Sequence, residues 1–425
     1  MAPSSNRRRL NASSAPFLED FPTSLQLSNL LEDPVCAPGP TSSYPRDADH
    51  GLNKMLSLRR EVSTSIASSA AEHQGTTQMR DDESFRKIGA GACGAVFAQD
   101  GRSLAIKLAK AEDLDLWNDY VMHSSIAEYF SAYKIDEIKI PACYYFVPKD
   151  ESQYFAKRPS LVEAATPVCN LPTSALVTER IMPLPQTTRA LLIEKYCAPR
   201  NKEKALADPA NEDCLVRPYL GSTQGKGGQM FFSLRNFKMH LNQMVEIDLD
   251  VKAMARRMAI AMAIMHWGAK TDARDIEFVL GSSTEQLPLA TAADGIERMK
   301  PLTYTGPPSR SDEDFFRRST ELWVLDFNQV RAITLDEAGV AQAVEAARIN
   351  DPYLPKPLQE TPIEKEVWNA FVVSYLEASG TILEDEEYGQ DVLSWPAMFL
   401  CGLIEAQRKK QQAASGAGAA VVQDY

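Results

Sequence analysis

This chain is short of the residues that build covalent staples and metal sites. Its 425 residues include only seven cysteines and five histidines. No two cysteines stand in C-x-x-C spacing, and no histidines join them at zinc-finger spacing. A scattered, odd set of thiols predicts reduced cysteines rather than a disulfide framework, and no structural zinc is expected. Long apolar runs are also missing. None approaches the ~20 residues of a membrane-spanning helix, and the first residues lack the apolar stretch of a secretory leader. Basic charge is in deficit, with a formal net charge of -12. That balance argues against a nucleic-acid partner, because such binders carry a basic face. Arg7, Arg8 and Arg9 nevertheless form a local basic cluster. The expected protein is cytoplasmic or nuclear, not secreted, with no membrane partner. Its partner, a protein or a small molecule, stays open.

What is present is enough apolar residue, 44% of the chain, to fill a core. Residues 1–80 are rich in Ser, Pro, Asn and Asp and read as disordered, with a short helix at 25–32. Order is expected from Phe85. Strands are expected up to Leu108, a helix over 112–133, and further strands at 138–147 and 174–181. The Pro-rich Met182-Pro-Leu-Pro185 reads as a linker. Loop insertions are expected at about 197–229 and 282–320, and a strand within 231–237. Asp250 is placed to cap a helix carrying Met254, Met258, Met262 and Met265, a stripe that belongs to the core. A strand at 322–325 and a helical C-terminal third follow. Residues 409–425 read as a disordered Ala/Gly/Gln tail.

The most informative stretch is Ile88-Gly-Ala-Gly-Ala-Cys-Gly-Ala-Val-Phe97, followed by Asp-Gly and then Leu104-Ala-Ile-Lys107. A dinucleotide fold uses the same glycine spacing, but it needs a helix next, and residues 95–99 have strand character. Asp100-Gly101 reads as a hairpin turn. A plain glycine-rich hairpin is the bland alternative. The combination resembles the nucleotide lobe of protein kinases. The resemblance implies that Gly89, Gly91 and Gly94 lie close over phosphates, that Val96 packs on the base, and that Lys107 reaches the phosphates. A strand lysine in that position requires an acid on the next helix. Asp119, near the apolar face, and Glu128, turned toward solvent, compete for the role, and Asp119 is preferred. The connection at 178–182, with Glu179, would border the same cleft. Leu322-Trp-Val-Leu-Asp-Phe-Asn328 is similar to the kinase Asp-Phe-Gly segment, which makes Asp326 the metal ligand. The implied cofactors are ATP and magnesium.

The catalytic loop departs from the kinase pattern. In strict register the base is missing, and a one-residue slip gives Asp272 as base with Glu277 in place of the usual Asn. Asp275, on the same loop, is the other candidate. No Ala-Pro-Glu segment follows Asp326, an absence shared with small-molecule kinases of the aminoglycoside phosphotransferase type. Together with Asn118-Asp-Tyr-Val-Met-His123 and Asn350-Asp-Pro-Tyr-Leu-Pro-Lys-Pro357, these motifs also resemble a fungal family of uncharacterised proteins, some labelled zinc-finger proteins, over roughly 80–405. The expected fold is α+β and protein-kinase-like, with a small antiparallel lobe at 81–184 and a larger helical lobe at 185–408. The expected function is nucleotide binding with divergent or weak phosphotransfer. The alternative is an inactive pseudokinase that acts as a protein-binding scaffold.

Overall fold

The computed structural model describes residues 7–10, 27–33, 47–58, 61–62, 84–91, 93–110, 113–228, 230–283, 287–288 and 316–421. After α1 (Asp47–Leu56) and β1 (Glu61–Val62) comes an antiparallel five-stranded sheet. Its strands are β2 (Phe85–Ala90), β3 (Gly94–Gln99), β4 (Leu104–Ala109), β5 (Cys143–Val147) and β6 (Ala175–Glu179), in the order β2-β3-β4-β6-β5. The β3–β4 turn is made by Asp100-Gly101, and Gly101 takes φ +72°, a conformation glycine adopts without a Cβ penalty. Between β4 and β5 runs α2 (Asp113–Ala132); between β5 and β6 lie α3 (Ser152–Ala156) and α4 (Pro159–Ala165).

Strand periodicity decides which side chains face the cleft. Phe97, Ile106, Leu108 and Val177 point to one side, where they pack with Tyr154, Phe155 and Leu161 of α3 and α4. Their neighbours Val96, Lys107 and Leu176 therefore turn to the other side, toward α2.

The rest of the chain forms a mixed sheet and a helical layer. In order come α5 (Gln186–Tyr196), α6 (Lys202–Ala207), β7 (Val216–Tyr219), β8 (Phe237–His240), α7 (Leu241–Glu246) and α8 (Val251–Ala263). α8 runs into a π turn at Ile264–Gly268. Then follow β9 (Glu277–Ser282), β10 (Leu287–Pro288), β11 (Phe316–Leu325), α9 (Glu337–Ile349), α10 (Pro362–Asp385) and α11 (Trp395–Val421). The sheet order is β1-β11-β9-β7-β8, with β10 also on β11; only β7–β8 is parallel.

The core of this part is the packing of α8 on α10. Asp250 caps α8 by accepting from the Ala253 N–H at 2.8 Å, and Met254, Met258, Met262 and Met265 are buried as the stripe predicts. α10 starts with Pro362 behind a Thr361/Glu364 capping box and buries Trp368, Phe371 and Tyr375. Burying each such side chain stabilises by about 1.5–3 kcal/mol, so truncating Trp368 to Ala would cost about 3–5 kcal/mol.

Several boundaries differ from the sequence reading. The stretch expected to be disordered before residue 80 contributes to the core. Leu10, Leu30, Leu52 and Leu56 are buried, and Trp368 Nε1 donates to Leu30 O at 2.9 Å. Sparse leucines in a polar background hide such docking, because each anchor is set by a distant partner. The insertion expected at 197–229 contains α6 and β7. The strand expected within 231–237 begins only at Phe237, and Phe231 is fully in solvent. Much of the 282–320 loop lies outside the described residues, but β11 starts at Phe316 and pairs Thr320 with Ser282. α11 continues through the expected tail to Val421, in keeping with its alanine content. Lys410 Nζ lies 3.3 Å from Asp351 Oδ2, and Gln411 Nε2 donates to Leu358 O at 2.8 Å. Among the described residues no helix is long and apolar enough to cross a membrane.

Candidate functional site

Lys107 joins three elements. Its Nζ lies 2.6 Å from Asp119 Oδ2 on α2 and 2.8 Å from Asp326 Oδ1 at the end of β11. Burial alone would lower the lysine's pKa. The charges of Asp119 and Asp326 outweigh that penalty and raise it, so the ammonium is fixed as a cation.

The choice between the two helix acids follows from the helical face. Leu116, Asp119, His123, Ile126 and Phe130 are buried along one side of α2, whereas Glu128 is exposed. Asp119 also accepts the Phe327 N–H on Oδ1 at 3.2 Å. Next to it, Asn118 Nδ2 donates to Asn328 O and Val330 O, each at 2.9 Å. α2 therefore holds both the lysine and the segment that follows β11. In that segment the left-handed residue is Asp326 itself, at φ +69°, rather than Asn328. Asn328 instead points its amide at Cys93 Sγ, 2.9 Å away.

A cavity of about 270 Å³ opens beside the lysine. Gly89, Gly91, Gly94, Val96, Lys107, Asp119, Glu179, Asp275 and Asp326 all line it. Of the three glycines only Gly94 is tightly confined. A Cβ on Gly94 would meet Leu108 O at 3.0 Å and Lys107 Cγ at 3.1 Å, whereas one on Gly91 would meet nothing within 4 Å. Glu179 uses Oε2 to accept from the Ala142 N–H at 2.9 Å, which ties the end of β6 to the entry of β5.

The two candidate bases separate. Asp272 is buried and does not line the cavity. Its Oδ1 accepts from the N–H groups of Arg274 (3.1 Å) and Arg331 (2.9 Å), and its Oδ2 accepts from Gln342 Nε2 (3.0 Å). A carboxylate so occupied is a loop clamp, and its assignment as a base is corrected on that ground. Asp275 stands at φ +59° and lines the cavity; its N–H donates to Asn350 Oδ1 at 2.7 Å. It accepts a hydrogen bond from Gln329 Nε2, and burial and the nearby Asp326 charge raise its pKa.

Sequence reasoning missed the arginine–carboxylate pairs of the cavity wall. Arg217 on β7 pairs with Glu277 at 2.6 Å, and both line the cavity. Burial pushes Glu277 up to about 7 against the opposing pull of Arg217. Buried Asp213 gathers Arg86, Arg180 (3.5 Å) and Arg235 (3.7 Å), joining β2 to the connection after β6. Arg217 and Asp213 sit in the stretch read as a loop insertion, where no motif marks them.

A family model described as "Zinc finger protein" matches residues 322–387. No curated protein matches the chain, and no solved structure does. That family description overturns the expectation that no structural zinc is present. The matched residues contain neither cysteine nor histidine, so they supply none of the thiolate and imidazole ligands of structural zinc sites. Among the described residues no group of three or more His, Cys, Asp or Glu side chains is arranged to hold a metal ion.

Proposed function

We propose that this cleft binds a nucleoside triphosphate and supports divergent or weak phosphotransfer, within a protein-kinase-like pair of lobes at about 81–184 and 185–408. The observation that carries the reading is the position of Lys107 Nζ, between Asp119 and Asp326 and on the wall bordered by Gly94. An ammonium held by one helix acid is the group that phosphates require. Asp326 is the second carboxylate on the lysine, a third exposed, and the phosphates would compete with it for the cation. Asp275 is the carboxylate placed to accept a proton from an acceptor hydroxyl, and its raised pKa suits that task.

The test is thermal unfolding of the full chain with ATP or GTP, each with magnesium, at millimolar levels. A ligand that binds only the folded state raises the melting temperature by mass action. Wild type is expected to shift upward, and Lys107→Ala is expected to lose most of the shift, each compared with its own ligand-free melt. Absence of a shift with either nucleotide sinks the reading.

A second reading is a catalytically inactive scaffold. It is favoured by the exposed apolar side chains Leu114, Trp117 and Val121 on α2 and Tyr144 and Tyr145 on β5. Nucleotide binding with no phosphate release or transfer from Asp275-intact protein selects it.

A further inference from the structure

The arginine cluster near the start of the chain is not a free basic patch. Arg7 is 4% exposed, pairs with Glu386, and lies over the rings of Tyr129 and Tyr133, with centroids at 4.8 and 5.0 Å. Arg8 Nε lies 2.8 Å from Asp385 Oδ1, and its Nη2 reaches Glu384 Oε2 at 2.8 Å and Thr381 O at 3.2 Å. Arg9 pairs with Asp136, while Leu10 is buried and donates its N–H to Tyr133 O at 3.3 Å.

The receiving surface has two halves. One is the tail of α2, with Tyr129, Tyr133 and the following Asp136. The other is the last turn of α10, where the negative end of the helix dipole favours cations. Four carboxylates in succession, Glu384, Asp385, Glu386 and Glu387, add to that field. Planar guanidinium groups suit this setting better than ammonium groups, because they stack on rings and present several donors in one plane.

We propose that the junction between the tail of α2 and the last turn of α10 is a recognition site for a short arginine-led segment, filled in this chain by residues 7–10, which can be vacated and refilled. The chemistry it reads is Arg-Arg-Arg followed by an apolar residue: one buried guanidinium on two tyrosines, two outer guanidiniums sharing three ion pairs, and a leucine seated in the core. Occupation ties the tail of α2, the helix that carries Asp119, to α10. The site stands whatever the cleft binds.

The test uses the full chain with Arg7, Arg8 and Arg9 changed to Ala, and a labelled peptide of residues 5–12 followed by fluorescence anisotropy. The vacated chain is expected to bind the peptide at least tenfold more tightly than wild type. A peptide with lysine in place of the three arginines is expected to bind at least fivefold more weakly. Equal binding by wild type and the vacated chain, or binding by neither, overturns the proposal. Should the triple variant fail to fold, hydrogen exchange of the wild type decides. The Leu10 amide is expected to be protected at low salt and to exchange faster as salt screens the exposed Arg8 and Arg9 pairs. A Leu10 amide that exchanges at the free-chain rate at low salt overturns the proposal.

Discussion

The backbone N–H of Phe327 donates to Asp119 Oδ1 at 3.2 Å, while the other oxygen of the same carboxylate lies 2.6 Å from Lys107. One side chain thus sets both the lysine and the turn that carries Asp326. Phe327 is buried, and its ring lies 4.8 Å from that of His123 one helical turn further along α2. Movement of α2 would displace the lysine and the Asp326 turn together.

Removing Asp119 should therefore be costly. Asp119→Ala leaves the half-buried ammonium of Lys107 with Asp326 alone and the Phe327 N–H without its acceptor. A loss of about 3–5 kcal/mol is expected in urea unfolding. Asp119→Asn keeps an acceptor for Phe327 and should lose less. Equal stabilities for Asn and Ala would show that the backbone bond contributes nothing.

The glycines of the flap should differ sharply. Gly94→Ala pushes a Cβ to 3.0 Å from Leu108 O, a backbone atom that cannot move aside cheaply. A cost of about 1–3 kcal/mol is expected. Gly91→Ala meets open space and should stay within about 0.5 kcal/mol of wild type. Thermal melts of the two variants side by side check the order.

Asp272 and Asp275 should separate by readout. Asp272→Ala leaves the part-buried N–H groups of Arg274 and Arg331 without their acceptor, so about 1–3 kcal/mol of stability should go. Asp275→Asn should leave the melting temperature nearly unchanged and abolish any single-turnover phosphate transfer. Unimpaired transfer in Asp275→Asn would remove Asp275 as the base.

Glu277 predicts a pH dependence of stability. Its folded pKa is about 7, against an ordinary value of 4.5. Between those limits the folded state binds more protons than the unfolded one, so the contribution of Glu277 falls as pH rises from about 4.5 to 7. Glu277→Gln carries no such penalty. Its stability relative to wild type should climb across that window and level off above it. A flat difference from pH 4.5 to 8 would mean that Arg217 fully offsets the burial.

Local chemistry accounts for what could be read along the chain. Glycine spacing, the Asp100-Gly101 turn and alternation around Lys107 dictate a hairpin pair with the lysine on one face. The apolar rhythm of α2 singles out Asp119 over Glu128, and Asp250 with its methionine stripe marks α8. Each of these signals operates within about one turn or one strand pair of sequence. Asp272 and Asp275 lie three residues apart on one loop, and nothing local distinguishes a clamp from a cleft carboxylate. That difference came from Arg331, Gln342 and Asn350, which approach from far along the chain. The same holds for Arg217, for the Asp213 cluster, and for Arg7–Leu10, a polar stretch that becomes ordered only because Tyr133 and Glu386 are brought to meet it. Desolvation and pairing depend on which distant groups converge, and only the folded chain specifies that.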